Sequence, residues 1–420
     1  MAEFSSIGLA LILGLVLALF LLRFFSRQNH KNLPNGSMGF PFVGETLSLL
    51  KPHSSNSMGT FLQERVSRYG KVFKSHLFGS PAIVSCDHEL NMFILQNEER
   101  LFEASYPKAM HDILGKFSLL VISGDLHRKL RNFVVTFTTA SKSSPRFLKF
   151  AENLAISMLE SWKGCKEIDF HKDIRKLTLS LMVKSVLSIE PEEPRALKIL
   201  DDFRTYMKGF VSLPLNFPGS SYSKAVKART RLASTMKGII NEREKEKVGL
   251  ISGDFLDVIL SKRGILTDGQ IVSVALDILL GGYETTSTLI ALIVYFLGHV
   301  PKAFQTLKEE HDAIRKSKQA GEPLDMEDYR KMEFTKNNTS FHPVGRIKKT
   351  RKTVMPFGGG PRLCPGAELA KVEIAFFLHH LVLNYRWKVK EDDFPVAYPY
   401  VEFRRGLLLE VEPAKEELRK

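Results

Sequence analysis

The chain has 420 residues, 44% of them hydrophobic and 25% charged, and this globular composition excludes a disordered or fibrous protein. Its 60 Lys and Arg exceed its 46 Asp and Glu, and the net charge of +14 is compatible with nucleic acid, anionic lipid or an acidic protein as partner. The three cysteines, Cys86, Cys165 and Cys364, are too scattered for a disulfide framework or a CxxC zinc site. We therefore expect a reducing compartment.

The first segment predicts a membrane anchor. Phe4–Leu22 has no charged residue in 19 positions, which as a helix spans most of a hydrocarbon core of about 30 Å. Arg23, Arg27 and Lys31 follow it, so the positive-inside rule places the remaining chain in the cytosol. The alternative, a cleaved signal peptide, would need a basic start and a cleavage site with small residues. We predict that residues 1–31 form an uncleaved single-pass anchor with a basic flank.

The Pro/Gly-rich residues 32–45 predict a stiff hinge, although an ordinary linker would have the same spacing. Beyond them, apolar residues recur at helical spacing without a further composition break, so residues 46–420 are expected to form one mainly helical domain. A strand pair is predicted at Val72–Phe78 and Ala82–Ser85, with its turn at residues 79–81.

A long, nearly all-apolar helix is predicted from a capping box at Thr267 and Gln270 to the residues before Pro301. Such a segment could be a second membrane span. Asp277 and Glu284 within it argue against that alternative, because an ionisable group in an apolar helix must face protein, water or a cofactor. We therefore predict a buried central helix.

Cys364 follows a Gly-rich stretch and directly precedes a predicted helix. The amide groups and dipole at a helix N-terminus favour the thiolate, which is the form that binds metal. Because no His or Cys lies nearby at zinc spacing, a single thiolate suits the axial position of haem iron. Arg362 could pair with an anionic substituent of such a group. A buried structural cysteine after a Gly-rich turn is the alternative.

The same stretch resembles the cysteine-ligand signature of the cytochrome P450 monooxygenases, F-x-x-G-x-R-x-C-x-G. The five fixed positions are filled by Phe357, Gly360, Arg362, Cys364 and Gly366. The motif is specific, because five defined residues rarely match by chance in one chain.

Two further stretches resemble motifs of that family. Residues 281–286 match [AG]-G-x-[DE]-T-[TS], which implies that Glu284 and Thr285 handle oxygen and protons and that Gly281 contacts the cofactor. A Thr hydroxyl in a helix can take over a backbone carbonyl, and an adjacent acid can relay protons. His127 and Arg131, one helical turn apart, resemble the residues that pair with haem propionates, although a basic surface helix has the same spacing.

The resemblance implies a cytochrome P450 fold, mainly α with a minor β region, preceded by the N-terminal transmembrane helix. It implies haem b with its iron bound by Cys364, and further haem contacts from His127, Arg131, Phe357, Arg362, Gly366 and Gly281. Electrons would come from NADPH through a membrane reductase at the endoplasmic reticulum, with the catalytic domain in the cytosol. The basic residues then suggest membrane lipid and an acidic electron donor, and no nucleic acid, as partners.

Three stretches of sequence resemble the plant members that hydroxylate steroid side chains in brassinosteroid biosynthesis. They are GFPFVGE at 39–45, HRKLR at 127–131 and FLHHLV at 377–382. The resemblance implies an apolar, steroid-like substrate.

The chain departs from the family after Lys336, where an E-x-x-R helix should follow. Instead, residues 337–346 resemble a later F-x-P-x-R element, with Gly345 at the position of its Arg. The matches at 192–195 and 327–330 are regarded as coincidental, since the first contains a Pro and the second lies too early. An internal segment is therefore predicted to be missing after about residue 336. The alternative to an active enzyme is a truncated or splice-variant, catalytically impaired member of the family.

Overall fold

The computed structural model describes most of the chain as two compact units. The described residues are 14, 32–40, 44–210, 212, 216–245, 254–261, 264–319, 321–339, 355–390, 393–397 and 400–414. The predicted anchor lies outside these residues, apart from Gly14. So does the stretch 340–346, which closely follows the position where an internal segment is predicted to be missing. One unit comprises Met1–Phe93 with Pro395–Val401, and the other comprises Ile94–Phe394 with Glu402–Lys420.

Helices and strands are numbered here along the chain. The helices are α1 (Thr46–Leu49), α2 (Gly59–Tyr69), α3 (His88–Gln96), α4 (Lys108–Leu114), α5 (Gly124–Ser141), α6 (Pro145–Ser161), α7 (Phe170–Leu187), α8 (Pro194–Met207), α9 (Ser221–Lys245), α10 (Phe255–Leu260), α11 (Asp268–His299), α12 (Pro301–Lys316), α13 (Met326–Lys331), α14 (Glu333–Thr339) and α15 (Ala367–Asn384). The strands are β1 (His53–Ser54), β2 (Val72–Leu77), β3 (Ser80–Ser85), β4 (Glu167–Asp169), β5 (Tyr385–Val389), β6 (Pro395–Ala397), β7 (Val401–Phe403) and β8 (Leu408–Pro413). The described residues are therefore mainly α with small sheets, as predicted.

The first unit contains the predicted strand pair. Strands β2 and β3 form an antiparallel hairpin in which Leu77 pairs with Ser80. Its turn consists of Phe78 and Gly79, which both have positive φ, at 53° and 80°. Two positive φ angles are typical of the two-residue turns that match strand twist. The hairpin is confirmed, but its turn is shorter than predicted, since Ser80 and Pro81 already belong to the strand. In the same unit β1 pairs antiparallel with β6.

The long helix α11 is the central element of the second unit. Its capping box forms as predicted, with Gln270 N donating to Thr267 Oγ1 at 3.4 Å and Thr267 N donating to Gln270 Oε1 at 2.9 Å. The helix packs against α5, α7, α9, α12 and α15. Among the described helices, α11 alone is long and apolar enough to span a membrane, but over half of its most apolar stretch is buried inside the protein. The prediction of a buried central helix is confirmed.

Helix α14 contains Lys336, after which an internal segment is predicted to be missing, and it is held in place by α12 and α15. The Glu310 carboxylate of α12 accepts hydrogen bonds from Phe334 N at 2.6 Å and Thr335 N at 3.0 Å, and so caps the first turn of α14. The Thr335 hydroxyl lies 3.1 Å from His311 Nε2, and His311 lies 3.1 Å from His379 of α15. The chain around Lys336 is therefore a helix that is fixed to α12 and, through His311, to α15.

Candidate active site

Residues 355–366, the cysteine loop, place Cys364 just before α15. The loop is closed by backbone hydrogen bonds from Gly358 N to Met355 O at 3.1 Å and from Cys364 N to Phe357 O at 2.9 Å. Gly366 is the N-cap residue of α15. Because Cys364 is exposed, its thiol is accessible at the positive end of the helix dipole.

Gly360 and Phe357 have structural contacts that the motif alone does not show. Gly360 has a φ of 63°, and a Cβ there would lie 1.9 Å from the carbonyl oxygen of Leu95. Glycine at this position therefore lets the cysteine loop approach the backbone of Leu95 closely. The Lys371 ammonium lies 5.2 Å from the ring centroid of Phe357, which ties the loop to the second turn of α15.

Arg362 ties the cysteine loop to two distant segments. Its guanidinium forms an ion pair with Glu98. It also donates to the carbonyl oxygens of Leu119 and Ile122 at 2.8 and 2.7 Å, and to that of Leu120 at 3.2 Å. These protein acceptors engage most of its N–H groups, so its expected contact with a propionate remains a prediction.

Replacing Arg362 by Leu should lower the free energy of unfolding by about 3–5 kcal/mol, because it leaves the buried Glu98 carboxylate and the carbonyls unpaired. Urea unfolding would measure the loss. The matched control is Arg128→Leu, since Arg128 pairs with Glu99 but is mostly exposed, and the control should lose less than about 1 kcal/mol. Equal losses in the two variants would contradict a clamping role for Arg362.

Helix α5 brings Arg131 and His127 close to the cysteine loop. Arg131 donates a hydrogen bond to the carbonyl of Leu363. Burial lowers the pKa of Arg131, while the charge of a Cys364 thiolate opposes that shift. Burial, followed by the positive charges of Arg362 and Arg131, also lowers the pKa of His127. The structure therefore brings three predicted site residues, His127, Arg131 and Arg362, together at the cysteine loop.

Two residues of the motif at 281–286, Gly281 and Thr285, form an exposed stripe on one face of α11. Gly281 and Thr285 are exposed, although half of the residues of this helix are buried. The Thr285 hydroxyl donates to the carbonyl of Gly281, as the sequence predicted. Glu284 points elsewhere and forms an ion pair with Arg175 of α7, with both side chains largely buried. Sequence reasoning did not identify Arg175, which lies 109 residues away in the chain.

The cytochrome P450 family model matches residues 34–340 and 337–414. The chain belongs to the cytochrome P450 family. Its family and its similar relatives identify it as a cytochrome P450 monooxygenase. A solved structure of retinoic acid-bound cyanobacterial CYP120A1 superposes with a TM-score of 0.78 over 92% of this chain and 100% of that chain, at 21% identity, and so shows the shared fold.

Plant relatives are similar over nearly the whole P450 chain. Cytochrome P450 724B1 of Oryza sativa subsp. japonica is 46% identical over 97% of both chains. A cholesterol 22-monohydroxylase of Paris polyphylla is 38% identical over 95% of this chain and 97% of the relative. A steroid (22S)-hydroxylase of Brachypodium distachyon is 35% identical over 92% of this chain and 89% of the relative. Steroid hydroxylases are thus among the relatives, as the resemblance implied.

The family implies a haem iron cofactor, and the described residues fit one. The Cys364 thiol is accessible at a helix N-terminus, which favours the thiolate that haem iron takes in this family. Nδ1 of His127 is buried without a hydrogen-bond partner among the described residues. Gly281 and Thr285 leave open space along α11. Cys364 would hold the iron, Arg131 would offer a positive charge to the carboxylates of the porphyrin, and His127 would offer its unpartnered Nδ1 as a neutral hydrogen-bond partner.

Proposed function

We propose that this P450 is an endoplasmic-reticulum monooxygenase that hydroxylates a steroid, and that its product belongs to brassinosteroid biosynthesis. The observation that carries the proposal is the accessible Cys364 at the start of α15 in a chain whose relatives include steroid hydroxylases over nearly their full length. When bound, haem iron activates dioxygen so that one oxygen atom enters a C–H bond of the substrate. NADPH would supply the electrons through a membrane reductase.

The protein's own residues would position the cofactor and move protons. Phe357 and Gly366 shape the cysteine loop, and His127, Arg131 and Arg362 would hold the cofactor beside it. Gly281 and Thr285 open the facing stripe of α11, where the Thr285 hydroxyl is held on a backbone carbonyl. Glu284, next to Thr285, would move protons toward that hydroxyl, and its ion pair with Arg175 orients the carboxylate.

Glu284→Gln should lower the turnover number for steroid hydroxylation by about 10²-fold, because an amide cannot carry a proton. Hydroxysteroid formation and NADPH consumption would be measured together with purified reductase. We expect NADPH consumption to fall less than product formation. Glu309→Gln on α12, where Glu309 accepts from Gln305 at the surface, is the control and should be neutral. Unchanged turnover in the Glu284 variant would contradict its role.

The predicted anchor, residues 1–31, would hold the enzyme in the membrane on a single helix, with the hinge at 32–45 leading to a cytosolic haem domain. Anionic lipid and the acidic reductase suit the chain's net charge of +14. Protease protection of tagged chains in intact microsomes tests this topology: digestion of a C-terminal tag supports a cytosolic domain, and its protection contradicts one.

A second candidate function has support of its own. The family model matches this chain in two segments that meet near residue 340, and the alignment with the rice relative covers 468 positions although the chain has 420 residues. A shortened, catalytically impaired member that lacks the E-x-x-R segment would align in this way. The carbon monoxide difference spectrum of the reduced chain separates the candidates. A strongly red-shifted Soret band supports the active enzyme, and its absence in folded protein supports the impaired one.

A further inference from the structure

Asp277 lies on the same stripe of α11 as two residues of the candidate site. Asp277, Gly281 and Thr285 are spaced four residues apart, so their side chains follow one face of the helix. Asp277 keeps part of its surface accessible, although Leu276 and Ile278 beside it are buried. Asp277, Gly281 and Thr285 thus form an accessible face along the middle of α11. This face of α11 therefore carries Thr285, the residue proposed to handle oxygen, at one end and the Asp277 carboxylate at the other.

The carboxylate of Asp277 is fixed but not saturated. The Ser118 hydroxyl donates to its Oδ1 at 2.7 Å, and the Leu119 amide donates to its Oδ2 at 2.6 Å. Each carboxylate oxygen can accept a second hydrogen bond. The carbonyl of Leu119 also accepts a hydrogen bond from Arg362 of the cysteine loop. The segment that orients Asp277 is therefore fixed both to the cysteine loop and to α11.

The surroundings of Asp277 are mainly apolar with few polar groups. Tyr206 of α8 and Arg229 of α9 are the nearby titratable groups that interact electrostatically with Asp277, and Arg229 also donates to the carbonyl of Leu114 at 3.1 Å. Burial raises the pKa of Asp277 to about 7, while the hydrogen bonds from Leu119 and Ser118 oppose the shift. A free acceptor in such a place favours a ligand that carries a hydroxyl group.

We propose that Asp277 accepts a hydrogen bond from a hydroxyl at the end of the steroid substrate opposite to the oxidised carbon. The eight residues from Asp277 to Thr285 separate the two positions by about 12 Å along the helix. This separation is comparable to the span of a sterol from its ring-A hydroxyl to the start of its side chain. The inference rests on the proposed steroid substrate. Asp277 would favour sterols that carry a hydroxyl group on ring A over sterols that lack it.

Equilibrium binding tests this proposal without turnover. A radiolabelled 3β-hydroxysterol and its 3-deoxy counterpart would be bound to the full chain in detergent. We expect the wild type to bind the hydroxysterol about 10- to 100-fold more tightly, since a hydrogen bond to a carboxyl group in mainly apolar surroundings is strong. Asp277→Leu should remove this preference and leave binding of the deoxysterol unchanged. Asp277→Asn, which keeps the shape and one acceptor, should retain part of it.

Ser118→Ala is the matched control, because it removes a donor to Asp277 but keeps the carboxylate. It should preserve the preference. Equal loss of preference in Ser118→Ala and Asp277→Leu would overturn the proposal, since Asp277 would then act only by holding the segment around Leu119. Equal binding of both sterols by the wild type would also overturn it and leave the steroid substrate intact. Binding of neither sterol would contradict the steroid substrate itself. Circular dichroism confirms folding, and Asp277→Asn replaces Asp277→Leu if the latter unfolds.

Discussion

Cys364→Ser should abolish the red-shifted Soret band of the reduced, carbon monoxide-bound protein, together with all hydroxylation. The alcohol of Ser stays protonated at neutral pH, so no anionic sulfur ligand remains for the iron. The backbone around Cys364 should persist, because the loop is closed by its own N–H group bonded to Phe357 O at 2.9 Å, which Ser also provides. The spectrum of the purified variant, reconstituted with haem, measures the effect.

Cys165→Ser provides the control for this experiment. Cys165 is exposed like Cys364, but it follows the end of α6, and its Sγ lies 3.9 Å from the carbonyl oxygen of Ser161. Its replacement should leave both the spectrum and the turnover unchanged. A red-shifted band that survives in Cys364→Ser would contradict Cys364 as the iron ligand. A wild-type chain that lacks the band would instead support the impaired member of the family.

Local chemistry explains which parts of the structure could be predicted from the sequence. The start of α11 was predictable because Thr267 and Gln270 satisfy each other's amide groups within one turn. The hydrogen bond from Thr285 to Gly281 was predictable for the same reason, since both groups belong to one helix. The hairpin turn was predicted to start one residue too late, because Phe78 has a positive φ, which the sequence gives no reason to expect of a bulky side chain.

Partners that are distant in the chain could not be predicted. Glu98 pairs with Arg362 from 264 residues away, and only the packing of the loop after α3 against the cysteine loop brings them together. The Gly281–Thr286 motif indicated that Glu284 is functional, but not that Arg175 holds it. An ion pair between two elements depends on their relative placement, for which a single sequence contains no periodic or motif signal. The same is true of Ser118, whose contact with Asp277 joins a loop to the central helix.

Glu373→Gln should change how the free energy of unfolding depends on pH. Glu373 lies on α15 with only 7% of its surface exposed, and its Oε1 has no hydrogen-bond partner among the described residues. Burial raises its pKa from 4.5 to about 8. The folded protein thus retains a proton that the unfolded chain releases above about pH 4.5. The stabilisation is complete below that pH and is lost as the pH rises toward 8, by about 1.4 kcal/mol per unit.

Between pH 5 and pH 8 the wild type should therefore lose about 4 kcal/mol more than Glu373→Gln, whose amide does not titrate. Urea unfolding at both pH values measures the difference. At pH 5 the variant should be slightly less stable, because its buried amide adds an unpaired donor. Glu368→Gln on the same helix, where the carboxylate is exposed and pairs with Lys371, should follow the wild-type pH dependence. Parallel curves for Glu373→Gln and wild type would mean that the folded protein already holds Glu373 ionised at neutral pH. That state requires a hydrogen-bond donor for Oε1, which the described residues do not supply.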